Sequence, residues 1–241
     1  MLNNELIAFL FGGKNSSLAE CMAEWLGSSR RFAAFVDSFR DKIRKKIRIT
    51  HDLESLQDLQ LELETAYRLL QEKTLNVTYE PDHAKRIMRA PDFAVTYTTS
   101  LTFLVEVTRM RGDFAEKTTS TGTNPALSSL HIHLSDTICS KLGQFQPRQP
   151  NVLLIGIDSP AVKDADMRMT MLHIQSRAER DDLAFLKRYG LRDRTEFFAH
   201  YQRLSEVFVC KQHTAPIIWI NPQAKHPLPS KVRTVLYRSQ Q

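Results

Sequence analysis

Two runs rich in β-branched and aromatic residues, FAVTYT at 93–98 and LTFLVEVTRM at 101–110, are separated only by a Thr-Ser pair. Such runs joined by a short polar connection predict a β-hairpin. A further run, NVLLIGID at 151–158, is almost continuously apolar and predicts a central strand buried on both faces. Together these segments indicate a sheet whose helices cover both sides.

The rest of the chain supplies those helices and the outer strands. Helices are predicted at 18–27, 29–48, 55–71, 125–143, 161–190, 194–205 and from Pro229 onward, and further strands at 74–80, 207–210 and 216–220. The order is helices, three strands, a helix, a buried strand, and then mixed helices and strands. This order predicts an α/β sandwich around a mixed sheet.

Composition limits the class of protein. The chain has 241 residues, 42% of them hydrophobic, which is enough to bury a large core. Its apolar runs are all far shorter than the roughly 18 to 20 residues of a membrane span. The three cysteines are far apart in the sequence, which predicts isolated thiols without a disulfide or a structural zinc ion. We therefore expect a cytoplasmic protein with no membrane partner.

A basic segment lies at residues 28–48. It carries eight Lys and Arg residues, with phenylalanines at helical spacing, in a chain of net charge +6. One helix face is therefore expected to pack and another to be cationic. The cationic face is either simply solvated or contacts the phosphates of a nucleic acid, and the residues that would make this contact are Arg44, Lys45, Lys46 and Arg48, with Arg109 and Arg111 beyond the hairpin.

Two acids lie where the predicted hairpin brings its ends together. Asp92 follows Pro91 at the start of the first strand, and Glu106 lies within the second. Mg²⁺ commonly binds one or two carboxylates, with water and substrate phosphate oxygens completing its coordination. A pair of carboxylates on neighbouring strands is therefore sufficient for metal-assisted cleavage of a phosphodiester.

Pro91-Asp92 followed by Glu106-Val107-Thr108 resembles the signature of the PD-(D/E)xK superfamily, which has the restriction-endonuclease-like fold. The resemblance extends over about residues 55–158, through LELETAYRLL, SDTICSKLGQF and NVLLIGID. INPQAKHPLP, at 220–229, is also similar to the tail of several uncharacterised bacterial members. The resemblance implies an α/β domain at 51–241 behind a basic helical extension at 1–50. It also implies Mg²⁺ or Mn²⁺ held by Asp92 and Glu106.

A helix before the first strand carries a further acid in many members of this superfamily. Glu62 and Glu64 are the two candidates here. Helical geometry at about 100° per residue places Glu62 nearer the apolar face than Glu64. Glu62 is therefore expected to reach over the edge of the sheet, although both residues could instead be solvated.

Thr108 stands where the superfamily has its lysine. Thr108 shares a strand face with Glu106, whereas Arg109 points to the other side and is not a simple substitute. We expect Lys141, on the next helix, to supply the missing cation and Gln144 to orient a water or a phosphate. The alternative for Lys141 is a helix-end lysine that contacts the last carbonyls.

Three hypotheses of function follow. The first is a Mg²⁺-dependent endonuclease, as a monomer or a homodimer, that cleaves DNA rather than RNA. The second is a catalytically degenerate protein of the same fold that binds nucleic acid or another protein. The third is a basic α/β scaffold subunit whose hairpin belongs to no active site. Thr108, which carries no charge, is the residue on which the choice between the first two depends.

Overall fold

One mixed sheet forms the centre of the protein. The computed structural model describes residues 3–13, 16–81, 90–111, 129–157, 162–211 and 214–241. Within these residues the strands follow their chain order across the sheet: β1 (Leu75–Tyr79), β2 (Phe93–Tyr97), β3 (Leu101–Arg109), β4 (Asn151–Ile157), β5 (Leu204–Lys211) and β6 (Ile217–Ile220). Strands β3, β4 and β5 are parallel, and the other neighbours pair antiparallel. The predicted hairpin, β2 and β3, and the predicted buried strand, β4, are confirmed.

In the part of the chain that the structure describes, five helices precede the sheet. They are α1 (Asn3–Phe11), α2 (Ser17–Ser28), α3 (Arg30–Ser38), α4 (Arg40–Ile49) and α5 (Leu53–Gln71). The prediction of one helix at 29–48 was wrong, because Phe39 leaves the helical conformation at φ −111° and ψ 15°. At this break the rings of Phe35 and Phe39 both pack against Tyr79, each with its centroid 6.0 Å from the tyrosine ring. Aromatic packing on β1 thus accompanies the change of helix direction.

The remaining helices lie between and after the later strands. They are α6 (Ser129–Lys141), which continues into a 3₁₀ turn (Leu142–Gln144), α7 (Asp164–Glu179), α8 (Leu183–Arg188), α9 (Arg194–Tyr201) and α10 (Ser230–Ser239). The helical stretch predicted at 161–190 is divided in two, since Asp182 caps α8 by accepting from the Phe185 N–H. The beginning of the helix predicted at 125–143 and residue 158 of the predicted strand lie outside the described residues.

The two faces of the sheet carry separate hydrophobic clusters. Val105 points to the first face, which α1–α5 and α10 cover. Leu153 and Ile155 point to the second face, which α6–α9 cover. Because α1–α4 contribute to the first cluster together with strand residues, the N-terminal helical region packs directly onto the α/β core.

None of the described helices is long and apolar enough to cross a membrane. Cys21, Cys139 and Cys210 are free thiols. Cys139 and Cys210 are buried within the two hydrophobic clusters, where burial raises the pKa of each thiol. Their side chains therefore serve as small apolar groups of the core.

Candidate active site

Asp92 and Glu106 lie beside the last paired residues of the β2–β3 hairpin. The register ends with Phe93 opposite Val105; Asp92 immediately precedes Phe93, and Glu106 immediately follows Val105. Asp92 is 7% exposed and Glu106 is 3% exposed, and Asp92 Oδ2 accepts a hydrogen bond of 2.8 Å from the Val107 N–H. The Asp92 carboxylate is thus bound to the backbone of the residue that follows Glu106.

The pKa of Asp92 shows the effect of this proximity. Burial first, and then the negative charge of Glu106, raise it from 3.8 to about 6, while Lys46 and Lys141 act in the opposite direction. Burial acts because an ionised carboxylate is poorly solvated here, and Glu106 acts because two ionised carboxylates repel each other. Perturbed acids of this kind are frequent at functional sites, although structural ion networks also produce them.

Lys141 reaches the same place from the second face of the sheet. It is the last residue of α6, and its Nζ lies 2.7 Å from Glu106 Oε1, with the two side chains only 14% and 4% exposed. The helix after β3 therefore brings a cation onto the strand acid. Arg109 lies on the first face and pairs with Glu54 and Asp58, as expected from the alternation of side chains along β3.

Glu62 reaches the site from the first face. Its carboxylate lies in α5, is 12% exposed, and accepts a hydrogen bond of 2.6 Å from Lys46 Nζ. Burial, and then the charge of Asp92, raise the pKa of Glu62 to about 7, although Lys46 opposes them. The other candidate on the helix, Glu64, instead pairs with Arg68 at 2.5 Å. The two glutamates thus point to different surroundings.

Thr108 and Gln144 are less closely connected to the acids. Thr108 is partly buried, two positions beyond Glu106 on β3. Gln144 lies in the 3₁₀ turn after Lys141, and its Oε1 is buried without a hydrogen-bond partner among the described residues. This oxygen therefore makes no direct hydrogen bond to the site.

The residues expected to contact nucleic acid differ in their surroundings. Arg111, like Arg109, pairs with Asp58 beside the end of β3. On α4, the Arg44 guanidinium lies 4.2 Å from the centroid of the Phe9 ring. Exposed positions on the same helix are occupied by Lys45 and Arg48. In contrast, Lys46 of this helix is partly buried and pairs with Glu62 and with Glu80.

The donor atoms limit what a metal ion could use here. Among the described residues, no group of three or more His, Cys, Asp and Glu side chains is arranged to hold a metal ion. The pair Asp92 and Glu106 still offers the one or two carboxylates that Mg²⁺ or Mn²⁺ commonly takes from a protein. The residues therefore fit a cation that completes its coordination with water and phosphate oxygens.

Sequence reasoning missed Glu80 and Tyr79, and it named Lys46 only as a contact for phosphates. Glu80 follows β1 directly and its Oε1 lies 2.8 Å from Lys46 Nζ, while the buried Tyr79 ring lies 4.9 Å from the same nitrogen. An acid at the carboxyl end of a strand was the signal that could have identified Glu80. For Lys46 no local signal exists, because it is one of several lysines and arginines on one helix.

The Asn-Pro segment near the C terminus lies elsewhere. Asn221 is buried, and its side-chain amide donates to the carbonyls of Tyr201 and Leu204 at 2.9 and 2.8 Å. Leu204 begins β5, which runs parallel to β3 and β4. The segment therefore caps the start of β5, and none of the hydrogen bonds that the Asn221 side-chain amide makes with described residues goes to Asp92 or Glu106.

Comparison with known proteins adds no identification. No family model, no curated protein and no solved structure matches the chain.

Proposed function

We propose that this protein is a metal-dependent nuclease of the restriction-endonuclease-like fold that hydrolyses phosphodiester bonds of DNA. The observation that carries the proposal is the hydrogen bond from the Val107 N–H to the buried Asp92 carboxylate, next to the buried Glu106, with Lys141 bound to the second acid. Two buried carboxylates next to a cation are costly to maintain for stability alone. Function is therefore the better explanation for their presence.

The roles follow from the chemistry of each group. Asp92 and Glu106 would hold Mg²⁺ or Mn²⁺, which when bound polarises a phosphoryl oxygen and lowers the pKa of a coordinated water. Hydrogen bonding from the Val107 N–H fixes the orientation of Asp92. Glu62 lies close enough for the charge of Asp92 to affect its pKa, so it can accept a proton or support the first acid.

Lys141 takes the role that the superfamily gives to a lysine on the strand. Its ammonium group lies 2.7 Å from Glu106 Oε1, so it would stand beside a phosphate group bound at that acid. A cation at this point offsets the negative charge that develops as the phosphodiester is attacked. Thr108 is partly buried on the same strand and carries no charge.

A nucleic acid is the class of substrate that the charges favour. The chain carries a net charge of +6, and Lys45 and Arg48 are exposed on α4, the same helix that sends Lys46 toward the acids. Exposed basic residues next to a carboxylate cluster attract a polyanion and offset its repulsion by the carboxylates. This arrangement favours contact of α4 with the phosphate backbone.

A second candidate function is supported by the same ion pair. Lys141 neutralises Glu106 directly, and the described residues lack a three-ligand metal group. A protein whose site had lost its metal would retain such a closed ion pair. In that case the fold would serve to bind nucleic acid or another protein without cleavage.

Cleavage assays with and without divalent cations separate the two functions. We expect the wild-type protein to cleave double-stranded DNA in Mg²⁺ or Mn²⁺ and to lose this activity in EDTA. Asp92→Asn and Glu106→Gln should abolish cleavage and retain the fold. Glu64→Gln is the matched control, since Glu64 is an acid of α5 that pairs away from the site. Cleavage by both variants at the wild-type rate would disprove the nuclease.

The position of the lysine has its own test. Lys141→Met should lower the cleavage rate about 10²- to 10³-fold, as does the loss of one charge-stabilising group in other enzymes. Thr108→Lys in the Lys141→Met background places an ammonium group on the strand face of Glu106. Recovery of activity in this double variant would show that a positive charge beside Glu106 is required, and that it can come from β3 as well as from α6. An active Lys141→Met protein would exclude the role of Lys141.

A further inference from the structure

Lys46 belongs to helix α4 of the N-terminal helical region, and its side chain extends to two acidic residues. Its side chain is 25% exposed, and its Nζ lies 2.6 Å from Glu62 Oε1 and 2.8 Å from Glu80 Oε1. The same nitrogen lies 4.9 Å from the centroid of the Tyr79 ring. An ammonium group with this much burial requires partners. Lys46 has two carboxylates and an aromatic face, a setting unlike that of a solvated surface lysine.

Glu80 connects this lysine to the backbone of Asp92. The Glu80 N–H donates a hydrogen bond of 2.8 Å to the Asp92 carbonyl, and Lys42 Nζ donates one of 2.9 Å to the Glu80 carbonyl. Glu80 also has a positive φ of 40°, a conformation that is unfavourable for a side chain of this kind. Two lysines one turn apart on α4 thus hold the strained residue that pairs with the backbone of Asp92.

The side chain of Glu62 gives Lys46 a second path to the same acid. Glu62 and Asp92 carry charges of the same sign, and the charge of Asp92 acts on Glu62. Lys46, between Glu62 and Glu80, reduces the repulsion that would drive the acids apart. The placement of Asp92 therefore depends on α4 through a side-chain contact and through a backbone contact.

We propose that Lys46 is a positioning residue of the nuclease site: from the N-terminal helix α4 it clamps Glu62 and Glu80 and thereby holds Asp92 in place to bind the metal. This inference rests on the proposed function. It makes α4 part of the active site, in addition to any contact that its exposed face makes with DNA. Lys46 itself touches no substrate.

The expected consequence is a loss of turnover without a loss of substrate binding. Lys46→Met removes the charge and keeps most of the stem, and changes of residues that orient metal ligands commonly cost about 10- to 100-fold in activity. We expect kcat in Mg²⁺ to fall by about that factor while KM for DNA stays within about twofold. Lys46→Arg retains the charge and should recover part of the activity.

Lys45→Met is the matched control. Lys45 is the adjacent residue of the same helix, is exposed, and loses the same charge on replacement. A general electrostatic effect on DNA binding would raise KM in both variants, and kcat would then stay unchanged in both. A positioning role lowers kcat in Lys46→Met alone.

The Glu62→Gln/Lys46→Met double variant gives a second measurement, and Lys46→Arg replaces Lys46→Met in both backgrounds if the methionine variant does not fold. Removing both members of the 2.6 Å pair leaves only the partly exposed Glu80 without its lysine, which limits the cost to the fold. If Lys46 acts through Glu62, its replacement should reduce kcat less in the Glu62→Gln background than in the wild type. Equal losses in the two backgrounds would overturn this route.

The outcomes separate this inference from the proposed function. Absence of cleavage by the wild-type protein, or full cleavage by Asp92→Asn, would overturn both. If the wild type cleaves, Asp92→Asn is inactive and Lys46→Met has the kcat of Lys45→Met, only the inference about Lys46 is wrong. A selective fall in kcat that Lys46→Arg partly reverses would support it.

Discussion

Replacing Asp92 by Asn is expected to stabilise the protein at neutral pH. The pKa of Asp92 is about 6 in the folded protein against an ordinary value of 3.8, because of burial and of Glu106. Between these two values the carboxyl group takes up a proton on folding. Its contribution to the free energy of unfolding is therefore fully present below pH 3.8 and is lost as the pH rises through about 6. Asn has no charge, and its Oδ1 can still accept from the Val107 N–H.

The size of the effect follows from the two pKa values. Their difference corresponds to about 3 kcal/mol at most, or roughly 6 to 12 °C in Tm for a chain of this length. Urea unfolding of the wild type and Asp92→Asn in EDTA, followed by circular dichroism at pH 4.5 and pH 8, measures it. We expect a small difference at the lower pH and a more stable variant at the higher pH.

An acidic residue of α5, Asp58, provides a control in which the same type of replacement should lower the free energy of unfolding. Asp58 pairs with Arg109 and Arg111, so Asp58→Asn removes favourable contacts and should lower the free energy of unfolding by about 0.2 to 1 kcal/mol at pH 8. If Asp92→Asn were no more stable than the wild type at pH 8, the repulsion and burial inferred for the site would be refuted. A gain in stability together with a loss of cleavage is the pattern expected of a functional acid.

Two further changes test the packing around the site. Gly156→Ala should lower the free energy of unfolding, measured by thermal unfolding, by about 1 to 3 kcal/mol, because the new Cβ would lie 2.5 Å from the Leu61 side chain. Gly27→Ala is the control and should not lower it, because nothing lies within 4 Å of the new atom. Equal stabilities of the two variants would contradict the tight contact at Gly156. Asn221→Ala should lower the free energy of unfolding by at least about 2 kcal/mol, since two buried carbonyls lose their donor. Unchanged stability in urea would exclude this structural role.

The hairpin next to the two acids could be predicted because it depends on local rules. A short turn between two β-branched runs suffices to pair Phe93 with Val105, the neighbours of Asp92 and Glu106. The alternation of side chains along β3 sends Arg109 to the other face, where it meets Asp58. Helical periodicity likewise distinguished the directions of Glu62 and Glu64, whose partners differ in the structure. These features follow from neighbours in the sequence.

The break at Phe39 and the contacts of Lys46 could not be predicted in the same way. The basic run at 28–48 has a uniform helical pattern, and only the position of Tyr79 gives Phe39 a reason to leave the helix. Lys46 meets Glu62 across 16 positions of the sequence, and which lysine of a basic helix points inward depends on how that helix docks. Helix docking is set by the shape of the whole core.

The sequence by itself determined the α/β class, the central hairpin and the buried strand, because periodicity and β-branched content act over a few residues at a time. Tertiary structure alone decided that cations from opposite faces, Lys46 and Lys141, meet the acids at one end of the sheet. The physical reason is that charge pairing acts through space. It therefore depends on the packing of helices that are far apart along the chain.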